Sequence, residues 1–280
     1  MLTRRTFLAG TAALTGAAAA SRLVTAEEAK AAPRIRISSC HIGMADAKKA
    51  GLEGIEVGAG GAAPKLSIAD PAAIQKYKDQ MKETGLAVSS IMMGLFNSNP
   101  LASDPNGPAW LEQTIDAAKE LGAHTILVAF FGKGSLGGKG EMKKDDVDEV
   151  VKRVKAAAPR AQAAGVFLGI ENTLTAQQNA EILDRIGSPA VKIYYDIFNL
   201  AGQGYDTPAE IRFLKDRISI FHFKNGGDYL ESGKVKWEPV AAAIKEIGYK
   251  GWIVLETSNP SKNVVDDDRK NADYIRKLFA

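Results

Sequence analysis

The chain has 280 residues, 45% of them hydrophobic and 25% charged, which is the composition of an ordinary globular protein and suits one α/β barrel of about 250 residues. The formal net charge is +3, of which residues 1–31 supply +2, and the remainder has no basic run of the kind that grips nucleic acid. A single cysteine excludes an internal disulfide framework, and with three histidines any metal site must be built mainly from carboxylates.

The first residues predict an export signal. Arg4 and Arg5 stand before Phe-Leu and a run of small, weakly apolar residues at 9–20, a pattern that resembles the twin-arginine signal. Residues 29–31 offer an A-x-A cleavage site, with 18–20 as the rival. A membrane-retained N-terminus is the alternative, but the run is short of the ~20 residues that a span needs. We expect residues 1–31 to be a signal peptide, and the mature protein to be periplasmic or otherwise extracytoplasmic in a bacterium, with no membrane span.

From residue 33 onward, β-rich runs alternate with helical patterns, which predicts βα units around a parallel sheet. The predicted strands are Arg34–Cys40, Gly54–Val57, Ala87–Met92, Thr125–Phe130, Val166–Glu171, Val191–Asp196, Ile218–Phe223 and Trp252–Glu256. The predicted helices are Met44–Ala50, Pro71–Thr84, Ala109–Leu121, Lys144–Ala164, Ala176–Ile186, Pro208–Lys215, Trp237–Ile247 and Val265–Phe279. Eight units predict a single-domain α/β fold over residues 32–280, a closed (β/α)₈ TIM barrel.

An open doubly wound sheet is the weaker alternative. Such a sheet would carry G-x-G-x-x-G after its first strand, where this chain has residues 40–44, CHIGM. The glycine-rich residues 132–140 follow the fourth strand and predict a mobile loop over the barrel mouth. A phosphate cradle is the alternative for this loop, but it lacks the final Lys-Ser/Thr pair of a phosphate loop.

Four predicted strands end in groups that ligate metals. Glu171, Asp196, His222 and Glu256 close or nearly close strands five to eight, each after an apolar run. In a TIM barrel these strand ends meet at the active-site face. A buried charge is costly unless it is paired or bound to a metal, and three carboxylates together repel one another without a cation. A lone strand-terminal acid is commonly a helix cap or a salt bridge, but four on successive strands predict one shared site for Mn²⁺, with Mg²⁺, Co²⁺, Zn²⁺ or Fe²⁺ as alternatives.

The residues around these ligands resemble the sugar phosphate isomerase/epimerase superfamily, the xylose-isomerase-like barrels that include the ketose 3-epimerases. The likeness runs from about residue 34 to residue 280 and rests on GIEN (169–172), YYDIFN (194–199), FHFK (221–224) and GWIVLET (251–257). The resemblance implies a carbohydrate substrate and one divalent metal held by the four ligands. It also implies that Glu171 and Glu256 act as catalytic acid and base.

That chemistry is proton transfer beside a carbonyl, through an enediolate that the metal stabilises as a Lewis acid. Glu171 and Glu256 lie on strands five and eight, so we expect them to face opposite sides of the substrate carbon, one removing the proton and the other returning it. Lys224 is two residues after His222 and points the same way from the strand. We expect it to stabilise an oxyanion or to shuttle a proton, with a plain salt bridge as the alternative.

Three positions depart from the ketose 3-epimerase pattern. Asn199 stands where those enzymes have histidine, Gln177 where they have glutamate, and Asp228 where they have arginine. Because such positions contact the sugar, the substrate is expected to differ from a ketohexose, as an oxidised sugar such as a 3-keto-glycoside or an inosose-like polyol would. Asn199 and Gln177 remain candidate substrate contacts.

Two further residues are candidates for the pocket. His41 follows the first strand and is predicted to contact substrate, with an ordinary loop histidine as the alternative. Glu56 ends the second strand and is predicted to line the pocket or to orient a metal ligand.

The leading hypothesis is an exported, metal-dependent sugar isomerase or epimerase. A lyase on a keto-sugar, keto-glycoside or inosose would use the same metal site, and a non-catalytic sugar-binding barrel would keep the metal for structure only. An endonuclease-IV-like DNA repair enzyme shares the barrel but needs a histidine-rich trinuclear site, which three histidines do not supply. The sequence leaves a homo-oligomer open.

Overall fold

Short runs of apolar and β-branched residues form the barrel strands in the computed structural model, which describes residues 34–280. The strands are β1 Arg36–Ser39, β2 Gly54–Gly58, β3 Ala87–Met93, β4 Thr125–Ala129, β5 Phe167–Glu171, β6 Val191–Asp196, β7 Ile218–Phe223 and β8 Trp252–Leu255. Each strand pairs in parallel with the next along the chain, and β1 pairs with β8 to close the barrel. The predicted TIM barrel is therefore confirmed.

Helices alternate with the strands and cover the outside of the barrel. They are α1 Met44–Lys49, α2 Pro71–Thr84, α3 Gly107–Leu121, α4 Lys144–Ala164, α5 Ala176–Ile186, α6 Ile197–Gly202, α7 Thr207–Leu214, α8 Trp237–Glu246 and α9 Val264–Phe279. The predicted helices agree with these bounds to within two residues at each end. The short helix α6 was not predicted, because a six-residue segment that directly follows a strand shows no helical periodicity.

Two glycines in the strands make room for large side chains. A Cβ atom on Gly54 would lie 2.8 Å from the Trp252 ring and 2.6 Å from the Ala87 carbonyl oxygen. A Cβ on Gly169 would lie 3.1 Å from the Cβ of Tyr194. Strand residues two apart face the same side, so Gly169 lies on the same face of β5 as Glu171. Glycine at 169 therefore lets β6 approach the strand that carries one of the predicted ligands.

The glycine-rich segment after β4 folds into a small hairpin, with Gly137–Gly138 antiparallel to Glu141–Met142. Thr173 donates a hydrogen bond to the Gly137 carbonyl, and the Gly140 amide donates one to the hydroxyl of Tyr205. The hairpin thus lies against the segments that follow β5 and α6, at the active-site end of the barrel.

The predicted signal peptide, residues 1–31, lies outside the described residues. Among residues 34–280, none of the helices combines the length and the hydrophobicity needed to cross a lipid bilayer.

Candidate metal centre

Four side chains converge at the carboxyl ends of neighbouring strands. Glu171 ends β5, Asp196 ends β6, His222 lies one residue before the end of β7, and Glu256 directly follows β8. Asp196 and His222 are paired in the register of β6 and β7, so they stand side by side. One ligand atom from each of the four residues lies within 4.8 Å of every other.

The imidazole of His222 presents Nδ1 to the three carboxylates. This nitrogen is 3.1 Å from Glu256 Oε2, 3.7 Å from Glu171 Oε1 and 3.9 Å from Asp196 Oδ2. The His222 side chain is 1% exposed and that of Asp196 is fully buried, whereas that of Glu256 is 36% exposed. Glu256 is therefore the one of the four side chains that solvent reaches.

The two carboxylate oxygens of Asp196 make different contacts. Oδ1 accepts a hydrogen bond from the Asn199 amide at 2.7 Å and caps the N-terminus of α6. Oδ2 points into the cluster. The helix cap that sequence reasoning set against a metal ligand is therefore present, while the other oxygen of the same carboxylate faces the cluster.

Lys224 places a positive charge beside the cluster. Its Nζ donates a hydrogen bond to Glu256 Oε2 at 3.0 Å and lies 3.1 Å from Asp196 Oδ2, without donating a hydrogen bond to that oxygen. The side chain of Lys224 is 19% exposed. The salt bridge considered from the sequence is thus present, at the open side of the cluster.

The donor set fits a divalent ion. Among the residues that the structure describes, the buried atoms Asp196 Oδ2 and His222 Nδ1 have no hydrogen-bond partner. Buried polar atoms are normally satisfied, so two unsatisfied atoms that face the same point indicate a missing partner. Three carboxylates and one imidazole are ligands that Mn²⁺, Mg²⁺ and Zn²⁺ accept.

The environments of the two candidate acid/base glutamates differ. Burial raises the pKa of Glu171 to about 7, against the opposing charge of His222. Burial also favours the neutral form of Glu256, but the nearby His222, together with the charge and hydrogen bond of Lys224, outweighs this and lowers its pKa to about 2. For His222, burial lowers the pKa, but the Glu56 carboxylate and the other glutamates raise it well above its ordinary value.

Glu56 lies behind the imidazole, on the side away from the other carboxylates. Its Oε1 is 3.1 Å from His222 Nε2, and its Oε2 accepts hydrogen bonds from Ser90 Oγ at 2.6 Å and from the Tyr194 hydroxyl at 2.8 Å. The Glu56 side chain is fully buried. Sequence reasoning did not single out Ser90 or Tyr194. The signal was present, since each is a polar residue within an apolar strand.

The other predicted substrate contacts are dispersed. Asn199 Nδ2 lies 3.5 Å from Glu171 Oε1, at the edge of the cluster. The ring of His41 lies with Nε2 3.0 Å from Asp268 Oδ1 on α9. Gln177 is exposed in the first turn of α5, where it makes no side-chain hydrogen bond to another described residue. The structure therefore brings Asn199 to the ligands, while His41 engages a helix and Gln177 faces solvent.

Surface grooves of several hundred Å³ lie away from the cluster. One of about 470 Å³ is lined by Ile35, Glu53 and Gly248, which precede β1, β2 and β8. It is thus near the amino ends of the strands, and its lining includes none of the four candidate ligands. Because the active site of a TIM barrel lies at the carboxyl ends, we place the functional site at the cluster.

Comparison with known proteins gives a family and several relatives. The sequence model of a family described as xylose isomerase-like TIM barrel matches residues 44–278. SgbU of Escherichia coli (strain K12), provisionally named an L-ribulose-5-phosphate 3-epimerase, is 27% identical over 239 residues, which are 75% of this chain and 80% of SgbU. The ketose 3-epimerase of Arthrobacter globiformis is 24% identical over 228 residues, 74% of this chain and 75% of that protein.

Solved structures show the same fold. YcjR of E. coli, a 3-keto-D-glucoside 4-epimerase, superposes with a TM-score of 0.71 at 15% identity, over 87% of this chain and 100% of that one. The curated relatives are thus sugar epimerases by name, and the structural likeness extends over the barrel.

Proposed function

The chain belongs to the xylose isomerase-like TIM barrel family, and from this premise we propose that it is a divalent-metal-dependent sugar epimerase or isomerase. The observation that carries the proposal is the convergence of Glu171, Asp196, His222 and Glu256 to within 4.8 Å at the carboxyl ends of four consecutive strands. The names of the curated relatives support the same class of reaction.

The four cluster residues would hold one divalent ion, Mn²⁺ before Mg²⁺, Co²⁺, Zn²⁺ or Fe²⁺, and the ion would supply a Lewis acid at the substrate carbonyl. The chain's own residues then transfer the proton. One glutamate takes the proton from the carbon next to the carbonyl, which leaves an enediolate, and the other glutamate donates a proton to the opposite face. The configuration at that carbon is thereby inverted, and the proton count of substrate and product is the same.

The surroundings of Glu256 and Glu171 differ before a metal binds. Lys224 and His222 keep Glu256 ionised, whereas burial favours the protonated form of Glu171. Lys224, hydrogen-bonded to Glu256 Oε2, is placed to stabilise negative charge on a substrate oxygen that approaches from the open side.

The substrate class follows from the departures from the ketose 3-epimerase pattern. Asn199, at the edge of the cluster, stands where the ketose 3-epimerases have histidine, and Gln177, which stands where they have glutamate, is exposed. We therefore propose an oxidised sugar, such as a 3-keto-glycoside, or an inosose as the substrate. The activity in the name of YcjR, which acts on a 3-keto-D-glucoside, supports this choice.

The test is deuterium uptake from D₂O, followed by NMR, into a panel of ketoses, inososes and 3-keto-glycosides with Mn²⁺-loaded protein. We expect exchange at one carbon next to a carbonyl, and the labelled carbon names the reaction. Glu256→Gln should abolish this exchange. Glu246→Gln, the same change at an exposed glutamate that pairs with Arg212, should keep it.

Three outcomes would contradict the proposal in different ways. Deuterium exchange that persists without metal would show that the metal cluster takes no part in the reaction. Elimination products in place of an epimer would make the protein a lyase. Tight Mn²⁺ binding with no exchange in any compound would favour a sugar-binding barrel without catalysis.

A further inference from the structure

Glu56 is a fully buried carboxylate, and its hydrogen-bonding capacity is committed to protein groups. Oε2 accepts from Ser90 and Tyr194, and Oε1 faces His222 Nε2 at 3.1 Å. With both oxygens engaged and the side chain fully buried, Glu56 has no free face for a sugar hydroxyl. The contact of Glu56 with His222, a candidate metal ligand, is therefore the contact through which Glu56 can affect function.

The orientation of the imidazole follows from this contact. Glu56 Oε2 already accepts hydrogen bonds from two hydroxyl groups, so Oε1 is the oxygen placed to accept one from the Nε2–H group of His222. Nδ1 is then the nitrogen available to a metal, and it faces Glu171, Asp196 and Glu256 without a hydrogen-bond partner among the described residues. A metal-binding histidine needs this arrangement, in which the second ring nitrogen donates to an acceptor that fixes the tautomer.

We propose that Glu56 is the positioning residue of the metal centre: held by Ser90 and Tyr194, it fixes His222 as the Nε2–H tautomer with Nδ1 directed into the carboxylate cluster. Its negative charge also makes the imidazole a stronger donor to a cation. Glu56 acts through His222 and is not a ligand itself. This inference rests on the proposed metal site but not on the identity of the sugar.

The geometry also explains why the support comes from two strands. Tyr194 lies on β6, two residues before Asp196, and its ring packs edge-on against His222 with centroids 4.5 Å apart. Ser90 lies on β3, next to the strand of Glu56. Strands on both sides of the barrel interior thus fix the carboxylate, and a carboxylate so fixed holds the ring in one orientation.

The first measurement is Mn²⁺ affinity by titration calorimetry for wild type, Glu56→Gln, Glu56→Ala and Glu53→Gln. Loss of a group that supports a metal-binding histidine typically weakens binding by about 10–100-fold, and we expect Glu56→Ala to fall in this range. Glu56→Gln keeps a neutral acceptor for Nε2–H and should lie between Glu56→Ala and wild type. Glu53→Gln changes a glutamate that precedes the same strand and pairs with Arg34, and it should bind as wild type does.

The second measurement is the ¹⁵N spectrum of the imidazoles with diamagnetic Zn²⁺ bound, which is tractable because the chain has three histidines. Wild type should show His222 protonated at Nε2 and unprotonated at Nδ1. Tyr194→Phe keeps the ring that packs on His222 but removes one hydrogen bond that holds Glu56. It should therefore weaken Mn²⁺ binding, though less than Glu56→Ala does, and unchanged binding in this variant would count against the inference even if the Glu56 variants fail to fold.

Two results would overturn the inference. One is a Glu56→Ala variant that binds Mn²⁺ as tightly as wild type, and the other is a wild-type spectrum with the proton on Nδ1. If wild type itself binds no divalent ion, the proposed function falls and this inference falls with it. That failure is distinct from one in which wild type binds the metal and Glu56 proves indifferent.

Discussion

At the residue scale, the candidate centre combines carboxylates whose surroundings shift their pKa values in opposite directions. Glu171 is held in the barrel interior with its pKa raised to about 7, and Glu256, near Lys224, has a pKa of about 2. Metal ligands must be deprotonated, so a raised pKa on a ligand makes metal binding compete with protons near neutral pH. The centre should therefore respond to pH where an ordinary carboxylate site would not.

We predict that Mn²⁺ affinity weakens as the pH falls through 7. Glu171 is protonated below its pKa of about 7, and His222, whose pKa is also raised, must lose a proton as well. Each proton that binding displaces changes the dissociation constant about tenfold per pH unit below the pKa concerned. Calorimetry in two buffers of different ionisation enthalpy would count the protons released at pH 7.

The expected count is at least one proton per ion bound. Glu171→Gln removes one titrating group and should lower the count as well as the affinity. A dissociation constant that stays the same between pH 6 and pH 8 would contradict the assignment of Glu171 as a buried ligand.

At this scale, sequence reasoning named the candidate ligands, and named Glu56 as a residue that lines the pocket or orients a ligand, but it did not show which atoms meet. A charged residue at the end of an apolar run can be recognised from the sequence alone. By contrast, Glu56 lies 166 residues from His222 in the chain, and the pairing of the two side chains depends on the closure of the barrel. Asp196 shows the same limit, because the α6 that it caps forms only where the strand end supplies the acceptor.

At the element scale, glycine in β5 determines how closely β6 can approach. A Cβ on Gly169 would lie 3.1 Å from the Cβ of Tyr194 and 3.2 Å from the Thr125 methyl group. Both contacts are shorter than ordinary van der Waals distances, so an added methyl would displace neighbouring strands. β5 would move apart from these strands and would carry Glu171 with it, since that residue follows Gly169 on the same face.

We predict that Gly169→Ala lowers the free energy of unfolding by about 1–3 kcal/mol, the usual cost of overpacking in a core. Mn²⁺ affinity should fall in the same variant, because Glu171 moves with the strand. Denaturant unfolding of the metal-free protein measures the first effect and calorimetry the second. Gly43→Ala is the matched control: its backbone φ is −80° and a Cβ there meets no atom within 4 Å.

The control should change stability by no more than about 0.5 kcal/mol. Equal stability of Gly169→Ala and Gly43→Ala would mean that the barrel interior accommodates the methyl group without moving β5.

At the scale of the whole molecule, a barrel with an interior site is joined to a predicted export signal. Residues 1–31 lie outside the described residues, so export is our proposal from the sequence alone. A twin-arginine signal is an address that a receptor reads, and this route carries folded proteins. A folded barrel could therefore acquire its metal before it crosses the membrane.

We predict that residues 1–31, fused to a reporter in a bacterium with the twin-arginine pathway, direct the reporter out of the cytoplasm. Replacing both Arg4 and Arg5 by lysine should retain the reporter inside, because the pair is the element that is read. Arg22→Lys, the same change later in the segment, should leave export intact. Export of the double variant at the wild-type level, measured by cell fractionation, would overturn the proposal.

The sequence by itself determined the barrel and the identity of the four candidate ligands. The evidence came from local properties of the sequence: alternating β and helical patterns, helix-ending glycines, and charges at the ends of apolar runs. Each of these can be recognised without knowing which strands pair. Eight repeats of the βα unit leave few arrangements other than a closed barrel.

Only the tertiary structure decided how these residues act together. It placed Nδ1 of His222 rather than Nε2 toward the carboxylates, set Glu56 behind the ring, turned His41 toward α9 and left Gln177 at the surface. These outcomes depend on contacts between strands and helices that are distant in the chain, and such contacts form only when the barrel closes. The period of a strand predicts the face on which a side chain lies. Which atom of that side chain points into the site depends on the neighbouring residues that contact it once the barrel has closed.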